Sequence, residues 1–222
     1  MLFALAILAF LLGSIPFGVL VSRAKGVDIF SVGSGNIGAT NVIRAVGPVL
    51  GGLVFFLDVA KGLLPGLLGH FLITGNPFGL HGQVISFLLG CVAMLGHMYS
   101  PWIGFKGGKG VATGLGALLA AMPLTGLLAF VVMVIVTVIT RYVSLGSIIA
   151  GISTIPISYF VVKDSPQVLP LLILLNLFVI YKHRANIERL RNGTENKFKF
   201  RKTESDPQKS LDNENKDNGD QI

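Results

Sequence analysis

The chain has 222 residues, 52% of them hydrophobic and only 13% charged, with a mean hydropathy of +0.72, which excludes an ordinary soluble domain and points to a polytopic membrane protein. Eighteen Lys and Arg against eleven Asp and Glu give a net charge of +7. The basic residues sit in short segments beside apolar runs instead of forming one solvated face, so membrane topology accounts for them and nucleic acid is not an expected partner.

In chain order, residues 1–22, MLFALAILAFLLGSIPFGVLVS, carry no charged side chain. As a helix such a run spans about 30 Å, the hydrocarbon thickness of a bilayer. No basic n-region or small-residue cleavage site marks it as a signal peptide, so it is expected to stay as a transmembrane helix. Next comes VGSGNIGATNVIRAVG, residues 32–47, with a literal G-x-G-x-x-G at Gly33, Gly35 and Gly38. A dinucleotide site would need a buried strand ahead of it, and the polar RAKGVDIFSVGSG is none. A glycine-rich turn opening a helix still offers backbone N–H groups and a positive helix end to a phosphate or carboxylate.

A second apolar span is expected at 49–73. It contains Asp58 and Lys61, whose i, i+3 spacing predicts a mutual ion pair, because a lone charge there costs several kcal/mol. A third runs from 84 to 99 and holds the single Cys91, expected to pack and not to bridge or bind metal. GHMYSPWIGFKGGKGVAT, 96–113, is not a Walker loop: the first glycine of that motif is Ile103 here, and Lys109 is followed by Gly110. Lys106 reads equally well as a positive-inside anchor, whereas Lys109, between glycines at a helix start, is the better ligand.

The span at 110–122 is short of the roughly 20 residues of a straight crossing, so a half-helix, a re-entrant segment or an extended span all fit it. Further spans are expected at 124–140, 145–162 and 168–181. Ser144 and Ser147 share a face at the start of one, as ligands or as small packing residues. In YKHRANIERLRNG, 181–193, Lys182, Arg189 and Arg191 fit interfacial snorkelling, while His183 and Asn186 share a helical face and are not needed for anchoring. From 192 onward the chain is polar, so residues 1–191 are expected to form the integral membrane domain and 192–222 a disordered cytoplasmic tail.

The expected fold is all-α, a polytopic membrane protein of seven transmembrane helices with the N-terminus outside and the C-terminus in the cytoplasm. That arrangement puts sixteen of the eighteen Lys and Arg inside, leaving Lys163 outside and Lys61 within a span. It also brings the three polar segments to one inner face. Irregular backbone survives there only when buried or lining a polar cavity, so the three should shape one site.

Taken in order, GSGNIGATN with Arg44, His97 with FKGGKGVAT, and HRANIERLRNG resemble the three signature segments of the bacterial acyl-phosphate:glycerol-3-phosphate acyltransferases, the PlsY family. The resemblance covers about Leu11 to Glu195. It implies a seven-helix enzyme of the bacterial cytoplasmic (inner) membrane that moves a fatty acyl group from acyl phosphate to the 1-hydroxyl of sn-glycerol 3-phosphate, giving lysophosphatidic acid and inorganic phosphate. No nucleotide, coenzyme A, metal or other cofactor is implied, and acyl phosphate, sn-glycerol 3-phosphate and the lipid bilayer are the partners. None of the four histidines is followed by Asp at the His-x4-Asp spacing of the other large acyltransferase family.

By residue-by-residue match, Ser34, Asn36 and Thr40 are similar to the family's catalytic cradle for the donor phosphate, helped by the backbone of Gly33, Gly35 and Gly38. Arg44, Lys109, Ser147, His183 and Asn186 match the glycerol 3-phosphate ligands, and Asn41, Lys106, Gly107 and Gly108 are counted as substrate contacts with them. No carboxylate in the three segments is an obvious general base. The donor is already activated, so positioning and oxyanion stabilisation suffice and the substrate phosphate takes the hydroxyl proton. A transporter or binder of anionic phosphate compounds is the alternative; it would be marked by an internal repeat, which the chain does not show.

Overall fold

Runs of apolar residues fold as helices in lipid because the backbone N–H and C=O groups find partners nowhere else. The computed structural model describes residues 1–73, 75, 77–161 and 166–198, and among them there are ten α-helices and no strand. These are α1 (Leu2–Ser14), α2 (Phe17–Arg23), α3 (Ala39–Val46), α4 (Pro48–Leu72), α5 (Gly82–Met98), α6 (Val111–Ala121), α7 (Pro123–Thr140), α8 (Val143–Val161), α9 (Val168–Lys182) and α10 (Arg184–Arg191). Six of the seven expected spans are single helices with ends within two residues of those expected, and the first is two helices, α1 and α2.

Among the described residues five helical stretches are long and apolar enough to cross a bilayer, or six if α9 and α10, bent by 59° at His183, are taken as one. The element that keeps this below seven is α6, whose 11 residues rise only about 16 Å. Lys163, the one basic residue expected outside, and the tail from 199 on lie outside the described residues. Large apolar side chains such as Phe3, Val49, Phe56, Phe71 and Ile139 stay more than two-thirds exposed and form the lipid-facing surface.

Small residues set how closely the helices approach. A Cβ on Gly62 would overlap the Thr113 carbonyl and one on Gly116 the Val59 carbonyl, so α4 and α6 are in backbone contact. Gly13 against Ala93 and Gly96 against Phe10 do the same for α1 and α5. This dispersion-driven packing replaces the hydrophobic drive that lipid cannot supply.

The first span is broken at Ile15–Pro16, and its freed polar groups are met by neighbours. Lys61 Nζ donates to the Ile15 carbonyl at 3.0 Å, Ser100 Oγ to the Ser14 carbonyl at 2.6 Å, and Trp102 Nε1 to Ser14 Oγ at 2.8 Å. Lys61 also forms the expected pair with Asp58, at 2.8 Å, both side chains 3% exposed. Two apolar clusters fix the site from below. Val19, Ile29, Ile37, Val42 and Val54 cushion the glycine turn, while Phe87, Ala117, Leu118 and Leu172 lock α5, α6 and α9 together.

Candidate active site

The glycine turn is built by its own side chains. Gly33 and Gly35 have φ of 58° and 64°, a left-handed backbone that costs a glycine almost nothing. Buried Asn41 stitches the turn down: its Oδ1 accepts from Ser34 N–H at 3.0 Å, and its Nδ2 donates to the carbonyls of Val32 at 2.9 Å and Ile29 at 3.3 Å. Asn36 Oδ1 accepts from Gly38 N–H at 2.9 Å, and Gly35 N–H is bonded to the Val32 carbonyl. The N–H groups of Ala39 and Thr40, in the first turn of α3, are among the backbone donors that can face an anion.

The second segment hangs on the end of α5. Gly108 N–H donates to the His97 carbonyl at 3.1 Å, and Gly107 and Gly108 lie so close to His97 that a Cβ on either would overlap it. Gly110, at φ 81°, then turns the chain into α6. Between them Lys109 points inward, and its ammonium donates to Asn186 Oδ1 on α10. Burial pushes Lys109 down to about 8, with Glu195 pulling against it and Arg189 and Arg44 adding to the fall.

At the α9–α10 bend, His183 is 2% exposed and its Nδ1 pairs with the Val179 carbonyl at 2.9 Å. Burial, and after it the charge of Lys109, lowers this imidazole to about 4, so it is neutral at ordinary pH. With Nδ1–H given to Val179, the ring's other nitrogen is an acceptor. That suits a hydroxyl donor better than a phosphate oxygen at His183.

One cavity of about 350 Å³ joins these parts, and Ser34, Asn36, Thr40, Arg44, Lys109, Ser147, His183 and Asn186 all line it. A second, apolar cavity of about 80 Å³ between α6, α7, α8 and α9 shares Phe55, Gly110, Val111, Met133 and Ser147 with the first. The site is thus a polar chamber with an apolar extension.

The family model for glycerol-3-phosphate acyltransferase matches residues 3–193. The chain belongs to the glycerol-3-phosphate acyltransferase family. It is 47% identical over 194 residues to the glycerol-3-phosphate acyltransferase of Aquifex aeolicus (strain VF5), covering 87% of this chain and 97% of that one. To the glycerol-3-phosphate acyltransferase of Bacillus subtilis (strain 168) it is 44% identical over 197 residues, 88% and 97% of the two chains. The fold is similar to the crystal structure of PlsY, an integral membrane glycerol 3-phosphate acyltransferase, in its glycerol 3-phosphate form, with a TM-score of 0.81 at 45% identity over 89% of this chain and 96% of that one. The lysophosphatidic acid form gives 0.78 at 44% identity, over 89% and 95%.

For this member of the glycerol-3-phosphate acyltransferases, the cavity sorts the sequence-derived site residues. Gly38 and Asn41 also line it, but both ends of the Asn41 amide are spent on the turn, so its part is to hold Ser34. Gly33 and Gly35 lie behind the wall and shape the turn. Lys106 is exposed and does not line the cavity. Gly107 and Gly108 do not line the cavity either; they let the loop lie against α5. Ser147 lines the wall while donating to the Val143 carbonyl at 2.8 Å.

Sequence reasoning missed Glu195. Residues 192–198, past the expected domain boundary, are a strap on the site: Glu195 accepts from Ser144 Oγ, Asn186 Nδ2 and Arg189 Nε, each at 2.7 Å, and Arg44 donates to the Asn196 carbonyl at 3.3 Å. Burial would raise the Glu195 carboxyl, but these hydrogen bonds and the Arg189 charge outweigh it and hold the group below the usual range. The only hint in sequence was a lone carboxylate just beyond the third motif.

Proposed function

We propose that the chain transfers a fatty acyl group from acyl phosphate to the 1-hydroxyl of sn-glycerol 3-phosphate, at the cytoplasmic face of a bacterial inner membrane. The observation that carries this reading is the polar chamber opening into an apolar one. An acyl phosphate needs both at once, an anion cradle for its head and an oily slot for the start of its chain, with the reacting carbonyl at their junction. Ser34, Asn36 and Thr40, with the first N–H groups of α3, hold the donor phosphate. Arg44 and Lys109 hold the phosphate of the acceptor, Asn186 places Lys109, Ser147 lies on the same wall, and His183 accepts from a glycerol hydroxyl.

The chemistry then balances without an added reagent. The 1-hydroxyl oxygen forms a bond to the acyl carbon, the bond from that carbon to the phosphate oxygen breaks, and the hydroxyl proton leaves on a substrate phosphate. Donors around the carbonyl stabilise the developing oxyanion, typically worth about 2.7 to 4 kcal/mol for one such contact. The test is purified protein in detergent with acyl phosphate and glycerol 3-phosphate, following phosphate release and lysophosphatidic acid together. Equal amounts of the two products are expected; an inert acyl phosphate beside an active acyl-CoA would overturn the donor assignment.

A further inference from the structure

Asp58 and His97 are 2% and 4% exposed, carry polar atoms in an apolar bundle, and line the chamber without any part in the chemistry above. Such groups are costly within a membrane and call for a role. His97 touches the Lys109 loop in three ways. Its carbonyl accepts from Gly108 N–H, a Cβ on Gly107 would overlap that carbonyl, and a Cβ on Gly108 would overlap ring Nε2. The opposite ring nitrogen, Nδ1, has no hydrogen-bond partner among the described residues and lies 3.7 Å from Asp58 Oδ1. Asp58 is itself held by Lys61, which is tied to the broken first span.

We propose that Asp58 and His97 are positioning residues for Lys109: the carboxylate fixes the imidazole, and the imidazole fixes where the Gly107–Gly108 backbone presents the lysine to glycerol 3-phosphate. This rests on the assignment of Lys109 to that substrate. A carboxylate 3.7 Å from Nδ1, close enough to act through its charge and not by a direct hydrogen bond, favours the tautomer with the proton there and the ring orientation that keeps the Nε2 edge against Gly108. Lys109 follows Gly108 directly, so any turn of the ring is passed to the lysine without an intervening side chain. A displacement of about 1 Å at such a contact costs as much as about a hundredfold.

The experiment is a binding cycle on purified protein in detergent, reading the dissociation constant of glycerol 3-phosphate by calorimetry, with kinetics alongside. The variants are Asp58→Asn, His97→Asn, Lys109→Ala and the two doubles with Lys109→Ala. Asn at 97 keeps an amide near the Nδ1 position and removes the ring edge on Gly108. Each single variant should weaken glycerol 3-phosphate about 10- to 100-fold, the range for groups that orient a ligating residue. Turnover at saturating glycerol 3-phosphate and the KM for the donor should change little. In the Lys109→Ala background neither substitution should add more than about twofold, because the effect passes through the lysine.

Additive losses in the doubles would show general support of the bundle and overturn the proposal, as would wild-type affinity in both singles or in Lys109→Ala. If Asp58→Asn does not accumulate because Lys61 is left unpaired, the His97→Asn cycle decides alone. Wild-type protein that binds glycerol 3-phosphate but releases no phosphate from acyl phosphate would sink the donor reading and leave this one standing on the binding cycle.

Discussion

Ser34 and Lys109 both line one chamber, and on the proposed assignment they should fail in different ways when removed. On the proposed assignment, Ser34→Ala takes a hydroxyl from the place where charge would leave with the donor phosphate, so turnover should fall about 10² to 10³-fold with both Michaelis constants little changed. On the same assignment, Lys109→Ala would take a charged donor from the acceptor's dianion. At about 1.5 to 3 kcal/mol for such a bond, the KM for glycerol 3-phosphate should rise roughly 10- to 100-fold. Steady-state kinetics with one substrate varied at a time separates the two, and an unchanged KM in Lys109→Ala would return that lysine to a topology anchor. The pH profile adds a sign. If the Lys109 ammonium binds the dianion as proposed, its lowering to about 8 means that kcat/KM for glycerol 3-phosphate should fall about tenfold per unit above that pH. His183, lowered to about 4, contributes no inflection between 5 and 7. One near 6 belongs to the substrate phosphate.

At the scale of elements, the strap from 192 to 198 divides the polar C-terminal region in two. Deleting everything after Phe198 removes only polar sequence and should leave insertion and turnover within about twofold of wild type. Ending the chain at Asn192 also removes Glu195, which leaves Ser144, Asn186 and Arg189 without their shared acceptor. Affinity for glycerol 3-phosphate should then drop at least about tenfold, since the acceptor that sets Asn186, and through it Lys109, is gone. Kinetics on the two truncations, with membrane content measured for each, decides it, and equal behaviour would deny the strap a role. The contrast marks what could be read from sequence. Apolar periodicity and charge give helix ends directly, because lipid punishes an unpaired backbone group in a way composition records. That the three motif segments would converge on one cavity was legible, because glycine turns opening helices near a bilayer have few other uses. Glu195 was not, because its bond to Ser144 closes a gap of 51 residues that no local pattern announces. The roles of Gly107, Gly108 and Asn41 were hidden for the same reason: each is defined by a contact, with His97 or with the turn, and not by its own chemistry.

For the whole molecule, the open quantity is the number of crossings, and it turns on α6. If this helix re-entered, α7 would leave on the opposite side and carry Arg141 outward. Two contacts argue for a full passage. At one end Gly108 is bonded to His97 in the last turn of α5; at the other, Gln83 in the first turn of α5 donates to the Ala121 carbonyl at 3.2 Å. The loop and α6 together therefore cover the same depth as the 17-residue α5, the glycine-rich segment supplying the length that the helix lacks. The start of α8 supports this too, since Ser144 and Ser147 line the chamber that Lys109 enters, which requires α7 to return to the starting face. We propose on these grounds seven crossings with the N-terminus outside, an arrangement that would put the basic segments near 25, 106, 141 and 184 on the cytoplasmic side, as the positive-inside bias prefers. Single cysteines in a Cys91→Ser background, probed with an impermeant maleimide, test the arrangement. Leu124→Cys, at the exposed α6–α7 corner, should label in intact cells, whereas Lys25→Cys, Lys106→Cys and Arg141→Cys should label only after the membrane is opened. Labelling of Arg141→Cys in intact cells would make α6 a re-entrant helix and would separate α8 from the chamber, undoing the site as well as the topology.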